Sequence, residues 1–316
     1  MKSVDKNHSC VAVIDIGSNS IKALVAARDA AGQLQAMISQ TIDARISAGI
    51  SQSEPRLTED GMARGLAAIQ ELLAAAAPFS PLKTVLVATS AVRDAANGPD
   101  FRARVHAAIG HEIRILTGDE EANGIGRGLT CDPALADLHN FYVFDLGGGS
   151  LECLAFRQRQ IEQAVSLQLG CVRLTEKFVT DPTAPFSAQS REQIDAHVRA
   201  VLGASSFKFN LPAAVGVGTG GTVSTVRAIY GARHGQSAES TSPRVTVAQL
   251  RELLEELGAM PLSRRQQVPG LPPARADVFP TALAMIIALA DYGGLTELRH
   301  SFYNLRWGLA ADALAS

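Results

Sequence analysis

The sequence predicts an α/β protein built from two related domains, and three observations carry that prediction. A strand–loop–strand unit occurs twice, a domain length apart. Strand-like apolar runs alternate with amphipathic helical segments between and after the two copies. At 316 residues the chain is too long for one core of ordinary size and suits two.

The first copy opens on Val11-Ala-Val-Ile-Asp15, a β-prone apolar run of the kind that forms a strand buried on both faces. Ile16-Gly-Ser-Asn-Ser20 is the turn and Ile21-Lys-Ala-Leu-Val-Ala26 the returning strand. The second copy reads Phe141-Tyr-Val-Phe-Asp145, Leu146-Gly-Gly-Gly-Ser150 and Leu151-Glu-Cys-Leu-Ala-Phe156. The two aspartates are 145 − 15 = 130 residues apart, which indicates an internal duplication. Between the copies, Thr84 to Thr89 and Ile113 to Leu116 are strand-like. Gly61 to Ala77 is a helix rich in Ala and Leu, and Pro99 in a first turn starts another over Asp100 to Ile109. In the second half, Ser190-Arg-Glu-Gln193 and Thr246-Val-Ala-Gln249 are capping-box patterns that open amphipathic helices. Ala213 to Thr222 is a third strand-to-glycine-loop junction, Pro261 to Pro273 a basic, proline-rich surface loop, and a last helix starts near Asn304. The expected domains are 1–127, joined by the C-terminal helix 302–316, and 128–301.

Composition bounds the function. Hydrophobic residues at 47% are enough for both cores. A net charge of −2 gives no global field for capturing an anion, so local cations and backbone amides must hold one, and nucleic acid is not an expected partner. Only six of the 29 basic residues are lysine; the arginine bias suits bidentate phosphate binding, although codon bias explains it equally well. Cys10, Cys131, Cys153 and Cys171 show no metal-ligand spacing and read as reduced, packed thiols. Met1 to Cys10 is not a signal peptide, and the apolar stretch Ala282 to Ala290 is too short to span a bilayer. The expectation is a soluble cytoplasmic protein that does not act at a membrane.

The motifs point to phosphate. In Asp145-Leu-Gly-Gly-Gly-Ser150, three successive glycines let the backbone fold into a nest of N–H groups, so Gly147, Gly148, Gly149 and Ser150 are candidate phosphate ligands. Asp145 could hold hydrated Mg²⁺, and Glu152 lies on the same face as Ser150. Gly17, Ser18, Asn19 and Ser20 form the weaker twin, which alone would pass for a plain turn. Paired with the second loop it becomes the opposite wall of a phosphate site. Arg93 follows a strand exit and suits a bidentate phosphate contact. Gly220, Gly221 and Thr222 open a helix whose N–H groups can take a distal phosphate, and Arg173, Arg227 and Arg275 are candidate cations along the same track. Asp119, Glu120 and Glu121 follow a strand; acids suit a helix N-terminus, and clustering could equip Glu120 or Glu121 as a general base. Neither a Walker-type loop nor a nucleophile elbow occurs.

Six motifs in this order resemble the exopolyphosphatase/guanosine pentaphosphate phosphatase (Ppx/GppA) family of the actin, Hsp70 and sugar-kinase superfamily: Asp15-Ile-Gly-Ser-Asn-Ser20, Ala88-Thr-Ser-Ala-Val-Arg93, Gly118-Asp-Glu-Glu-Ala122, Asp145-Leu-Gly-Gly-Gly-Ser-Leu-Glu152, Leu169-Gly-Cys-Val-Arg-Leu-Thr-Glu176 and Gly218-Thr-Gly-Gly-Thr222. The resemblance implies two ribonuclease-H-like domains, as in actin-like ATPases, with a cleft between them. It points to Glu121 as catalytic base, gives Asp145 and Glu152 to Mg²⁺, with Asp15 as a further metal candidate, and assigns Arg93 and the glycine loops to phosphate. Leu151 departs from the family's usual threonine. The short two-domain type is expected, without the C-terminal helical domain of longer members, as a homodimer. The implied activity is Mg-assisted water attack that releases orthophosphate processively from the ends of inorganic polyphosphate. The alternatives are guanosine pentaphosphate 5′-phosphohydrolase, an ATP-dependent kinase, and a non-catalytic phosphate or nucleotide sensor.

Overall fold

The structure is a computed structural model that describes residues 9–212 and 214–315. Ala213, at the start of the third expected junction, the stretch 1–8 and Ser316 lie outside the described residues. The chain separates into two compact units, residues 1–135 with 303–316 and residues 136–302.

The first unit begins with strands β1 (Cys10–Ile16), β2 (Ile21–Arg28) and β3 (Leu34–Ile42), an antiparallel meander. Helix α1 (Glu59–Ala76), strand β4 (Lys83–Ala88), helices α2 (Ser90–Arg93) and α3 (Gly98–Ile109), strand β5 (Ile113–Ile115) and helix α4 (Gly118–Thr130) follow. The sheet order is β3-β2-β1-β4-β5, with β1, β4 and β5 parallel. Every apolar residue of β1 is buried, as its uninterrupted Val/Ile run requires of a central strand. Strand β3 was not legible in the sequence. It lies at the sheet edge and alternates Ser and Gln with apolar residues, and its hairpin turn is made by Asp29, whose Oδ1 accepts from the amides of Ala31 and Gln33 (both 2.9 Å).

The second unit repeats the plan. Strands β6 (Phe141–Leu146), β7 (Leu151–Arg157) and β8 (Gln160–Leu167) form a meander, followed by helices α5 (Cys171–Phe178) and α6 (Ala188–Ala204), strand β9 (Val215–Thr219) and helix α7 (Gly221–Arg233). Strand β10 (Arg244–Thr246), helices α8 (Val247–Gly258), α9 (Leu262–Arg265) and α10 (Phe279–Gly293), and strand β11 (Glu297–His300) complete it. Its order is β10-β11-β9-β6-β7-β8, so β8-β7-β6-β9-β11 matches β3-β2-β1-β4-β5 and β10 is an added edge. The match extends to a defect. Each pairing of second and third strands carries a register irregularity, opposite Val25–Ala26 and opposite Ala155–Phe156, and 155 − 25 = 130, the spacing of the two aspartates. Strand β8 also escaped the sequence reading. Its hairpin turns on Gln158 (φ 51°) and Arg159 (φ 62°), a left-handed pair with no glycine to announce it. The segment before β6 holds that turn: the amide of Gln158 donates to Asn140 Oδ1 (3.1 Å) and that of Arg159 to His139 O (2.9 Å).

Helix α6 starts earlier than expected. Its cap is Ser187, which accepts from the amide of Ser190 (3.0 Å), while the Ser190 hydroxyl donates to Phe178 O (2.9 Å). The capping box of Thr246 and Gln249 forms as read. Helix α10 is buried from Phe279 to Ala290, and among the described residues no helix is long and apolar enough to cross a membrane.

The last helix, α11 (Leu305–Ala313), is capped by Asn304 and packs in the first unit against α4, β1 and β2. Glycines let the two helix backbones approach: a Cβ on Gly128 would collide with Asn304 O, and one on Gly308 with Gly124 O. Arg127 closes the far end with a bidentate ion pair to Asp312. The boundary between units falls after Leu135, later than the 127/128 of the sequence reading, because α4 runs unbroken to Thr130.

Two glycine substitutions should therefore differ in sign. Gly128→Ala forces a methyl into the α4–α11 contact and is expected to cost about 2 kcal/mol or more. Gly203→Ala, on the exposed side of α6 where a Cβ meets only the Tyr292 hydroxyl at 3.7 Å, is expected to gain up to about 1 kcal/mol from helix propensity. Urea denaturation of both variants checks this.

Candidate active site

In the first unit the parallel strands β1, β4 and β5 end at one edge, where parallel sheets present ligand groups. Three loops leave that edge together. The amide of Thr89 donates to Ile16 O (3.3 Å), that of Leu116 donates to Ala88 O (2.9 Å), and the hydroxyls of Ser18 and Ser90 are 3.1 Å apart. The carbonyls of the β1–β2 loop are drawn off by the following segment: Ser18 O accepts from the Ser47 amide (3.3 Å) and Asn19 O from the Arg45 amide (2.9 Å). In a trans peptide the N–H points opposite to the C=O, so the amides of Asn19 and Ser20 point away from that segment. The Asn19 side chain is buried, and neither its oxygen nor its nitrogen has a partner. A buried amide in that state calls for a ligand or water. Gly17 closes the loop through its amide to Ser20 O (3.2 Å).

The geometry separates the two acids that the sequence left together. Glu120 is the N3 residue of the α4 capping box: its carboxylate accepts from the Thr117 amide (2.8 Å) and bonds Arg114. The Thr117 amide first, then Arg114, hold its pKa below the usual carboxylate value. Glu121 is buried in the first turn of the same helix, and its Oε2 accepts from Arg93 Nη1 at 2.8 Å. The same Nη1 donates to Leu116 O (3.1 Å), so Arg93 ties the β4 exit to the β5 exit and orients Glu121.

The second unit builds the same device with more donors. The amides of Cys171 and Val172 donate to Gly147 O (3.1 Å) and Gly148 O (2.8 Å), and Arg173 Nε donates to Gly149 O (3.0 Å). All three glycine carbonyls thus turn toward α5, and the amides of Gly148, Gly149 and Ser150 point the opposite way, a three-donor nest. Arg173 is therefore a brace behind the nest. Beside it, β9 runs parallel to β6 with Asp145 opposite Thr219. Gly220 (φ 83°) turns the chain into α7 so tightly that a Cβ there would collide with Asp145 Oδ1. A Cβ on Gly221 would collide with the guanidinium of Arg275, and the Thr222 hydroxyl is fully buried without a partner. Nest, acid and α7 N-terminus share one edge. Arg227 is elsewhere: its Nη1 donates to His300 Nδ1 (2.8 Å), its Nη2 to Thr241 O (2.8 Å), and it stacks on Phe302. Burial first, then Arg227, push His300 down to about 3, so the ring accepts as a neutral imidazole.

The sequence model of the Ppx/GppA phosphatase family matches residues 24–316, from just after the first loop onward. The chain belongs to the Ppx/GppA phosphatase family. Solved structures agree on the fold. An exopolyphosphatase from Cytophaga hutchinsonii is 21% identical, with a TM-score of 0.86 over 97% of this chain and 98% of that one. A Ppx/GppA enzyme from Aquifex aeolicus is 23% identical, with a TM-score of 0.77 over 96% and 99%. An exopolyphosphatase-like protein is 24% identical, with a TM-score of 0.84 over 96% and 97%. The fold is the two-domain actin-like one.

Within this Ppx/GppA fold the twin hairpins differ in charge. Cross-strand partners share a sheet face. Asp145 faces Glu152, whereas Asp15 faces Lys22, a cation within the returning strand Ile21 to Ala26. Glu152 is 2% exposed and its Oε1 accepts from the Ser166 hydroxyl at 2.7 Å. Two adjacent carboxylates with hydroxyl support fit a hydrated divalent cation, which commonly takes one or two carboxylates and completes its shell with water and phosphate oxygens. No group of three or more His, Cys, Asp or Glu side chains forms a protein-only metal cage among the described residues. Asp15 has one buried oxygen without a partner, and burial raises its pKa against the opposing pull of Lys22 and then Arg306.

That raised pKa carries a stability consequence. The unfolded chain ionises Asp15 at lower pH than the folded chain does, so the penalty is absent in strong acid and grows as pH rises through the ordinary carboxylate range. Asp15→Asn is therefore expected to raise the melting temperature at neutral pH, with the difference from wild type shrinking toward pH 3. Thermal unfolding across pH checks this.

Proposed function

We propose that this chain is an exopolyphosphatase that releases orthophosphate processively from the ends of inorganic polyphosphate. The single observation that carries the reading is the buried, arginine-oriented Glu121 at the strand edge from which the Asn19–Ser20 loop leaves the first unit: the loop amides are donors for phosphate oxygens and Glu121 serves water. The donors at each loop are amides and hydroxyls, with Lys22 opposite Asp15 in the first unit and Arg275 at the α7 N-terminus in the second, which suit a repeating phosphate chain. The exopolyphosphatase named among the similar structures supports the same choice.

In the proposed reaction Glu121 accepts a proton from water as its oxygen attacks the terminal phosphorus, and the bond to the bridging oxygen breaks. Arg93 keeps the Glu121 carboxylate in position. In the first unit the amides of Asn19 and Ser20 with Lys22, and in the second unit those of Gly148, Gly149 and Ser150 with Arg275, are each donors of the kind that stabilise charge on phosphoryl oxygens. Asp145 and Glu152 would hold Mg²⁺, which neutralises phosphate charge as a Lewis acid when bound. Asp15, faced by a lysine, is left out of the metal set in this reading.

Phosphate release from long-chain polyphosphate, guanosine pentaphosphate and ATP, with and without Mg²⁺, tests the proposal. Polyphosphate is expected to be the best substrate and chelation to stop the reaction. Glu121→Gln is expected to lose about 10²- to 10⁴-fold in kcat. Glu120→Ala, by contrast, should keep activity within about threefold and lose about 1 kcal/mol of stability with the capping box. No release from any substrate would overturn the enzyme reading, and full activity of Glu121→Gln would overturn the base. A preference for guanosine pentaphosphate, or transfer to an added acceptor, would replace the substrate or the reaction class. Asp145→Asn and Glu152→Gln should each raise the Mg²⁺ concentration needed for half-maximal rate, and an unchanged requirement would remove them from the metal set.

A further inference from the structure

Arg275 occupies an unusual place. Its guanidinium lies against Gly221, the first residue of a 13-residue helix, and its Nε is buried without a partner. A helix N-terminus is the positive end of the macrodipole, so a cation there is repelled unless an anion joins it. The chain must hold Arg275 in that position against the repulsion, and the means is visible in the segment 261–275.

That segment is a strap. From Pro261 to Gly270 its residues are exposed or half-buried with one exception, Arg265, which is 1% exposed. Arg265 plugs inward and donates Nη2 to Pro182 O (2.6 Å) and Ala184 O (3.2 Å), while the neighbouring Leu262 amide donates to Thr183 O (2.8 Å). Asp277, two residues beyond Arg275, lies near enough to stabilise the Arg265 charge. The second anchor is Gly270 (φ 87°), packed so closely on α7 that a Cβ would collide with Ala228 O. Prolines at 261, 269, 272 and 273 stiffen the path between the anchors. Burying an arginine is costly even with Asp277 nearby, and an apolar plug would anchor a surface loop at lower cost. What the arginine adds is two directional bonds that set where the strap lies.

We propose that Arg265 is a positioning residue: with Gly270 it clamps the strap so that Arg275 stands on the α7 N-terminus and completes a subsite for an inorganic phosphate chain. The proposal rests on the phosphate reading of that glycine loop, and a binding measurement separates the two. Tripolyphosphate binding in EDTA is read by calorimetry, and KM and kcat are read on polyphosphate. Arg275→Gln is expected to weaken binding about tenfold. Arg265→Met should raise Kd and KM about three- to tenfold while kcat stays within about twofold, with Arg265→Lys intermediate because one ammonium can reach one of the two carbonyls. The double variant Arg265→Met/Arg275→Gln should bind no worse than Arg275→Gln alone, because the clamp acts only through Arg275. Wild-type Kd in Arg265→Met with only a lowered melting temperature, or additive losses in the double variant, would overturn the proposal. If Arg265→Met does not fold, Arg265→Lys and Gly270→Ala supply the same comparison. Coupled binding losses in a protein that hydrolyses nothing would leave the clamp standing and remove the enzyme.

Discussion

The planarity of the peptide bond is the constraint on which the candidate site depends. A loop cannot aim its amides at an anion unless something on the other side takes its carbonyls, because the two groups of one peptide point apart. Both loops meet this condition, by different means. In the second unit the first turn of α5 and the Arg173 side chain take the carbonyls of Gly147, Gly148 and Gly149. In the first unit no helix occupies that place, and the amides of Arg45 and Ser47 take the carbonyls of Asn19 and Ser18. Arg45 does so at φ 45°, a conformation that costs an ordinary side chain about 1 kcal/mol or more. The backbone accepts that strain where it sets the direction of the Asn19 loop.

This dependence explains what was legible in advance. The Asp15 and Asp145 loops, the Gly220 loop and the acids of α4 were readable because turn glycines and strand runs are local signals. Two edge strands, β3 and β8, were not, because edges carry no continuous apolar run, and the β7–β8 turn uses the pair Gln158–Arg159 in place of glycine. The roles of three arginines were also hidden. Arg93, Arg173 and Arg227 all read as cations waiting for phosphate, yet each is tied to the protein: one to Glu121, one to Gly149 O, one to His300. Whether a guanidinium meets a ligand or a carbonyl is decided by tertiary packing, which one-dimensional spacing does not carry. Lys22 illustrates the converse. It sat inside an apolar strand and acquired meaning only when register put it opposite Asp15.

The helix pair α4 and α11 connects stability to this edge. Glu121 sits in the first turn of α4, and α4 is held by glycines that admit the backbone of α11. Arg306 from α11 reaches Ala23 O (3.0 Å), next to Lys22, and adds positive charge to the surroundings of Asp15. The end of the chain thus supports both the strand that carries Asp15 and the helix that carries Glu121.

The two hairpins can be taken as one ancestral unit observed after divergence. The strand order, the irregularity where the second strand pairs with the third and the spacing of 130 residues are shared, so the backbone has been kept. What has changed is the residue facing the aspartate, lysine in one copy and glutamate in the other. That single position reverses the local electrostatics. An Asp–Lys pair is internally balanced, whereas two adjacent carboxylates carry excess negative charge. Duplicate loops of identical charge would compete to do the same task. With opposite charge at one cross-strand position, one copy keeps a cation beside its aspartate and the other a second carboxylate.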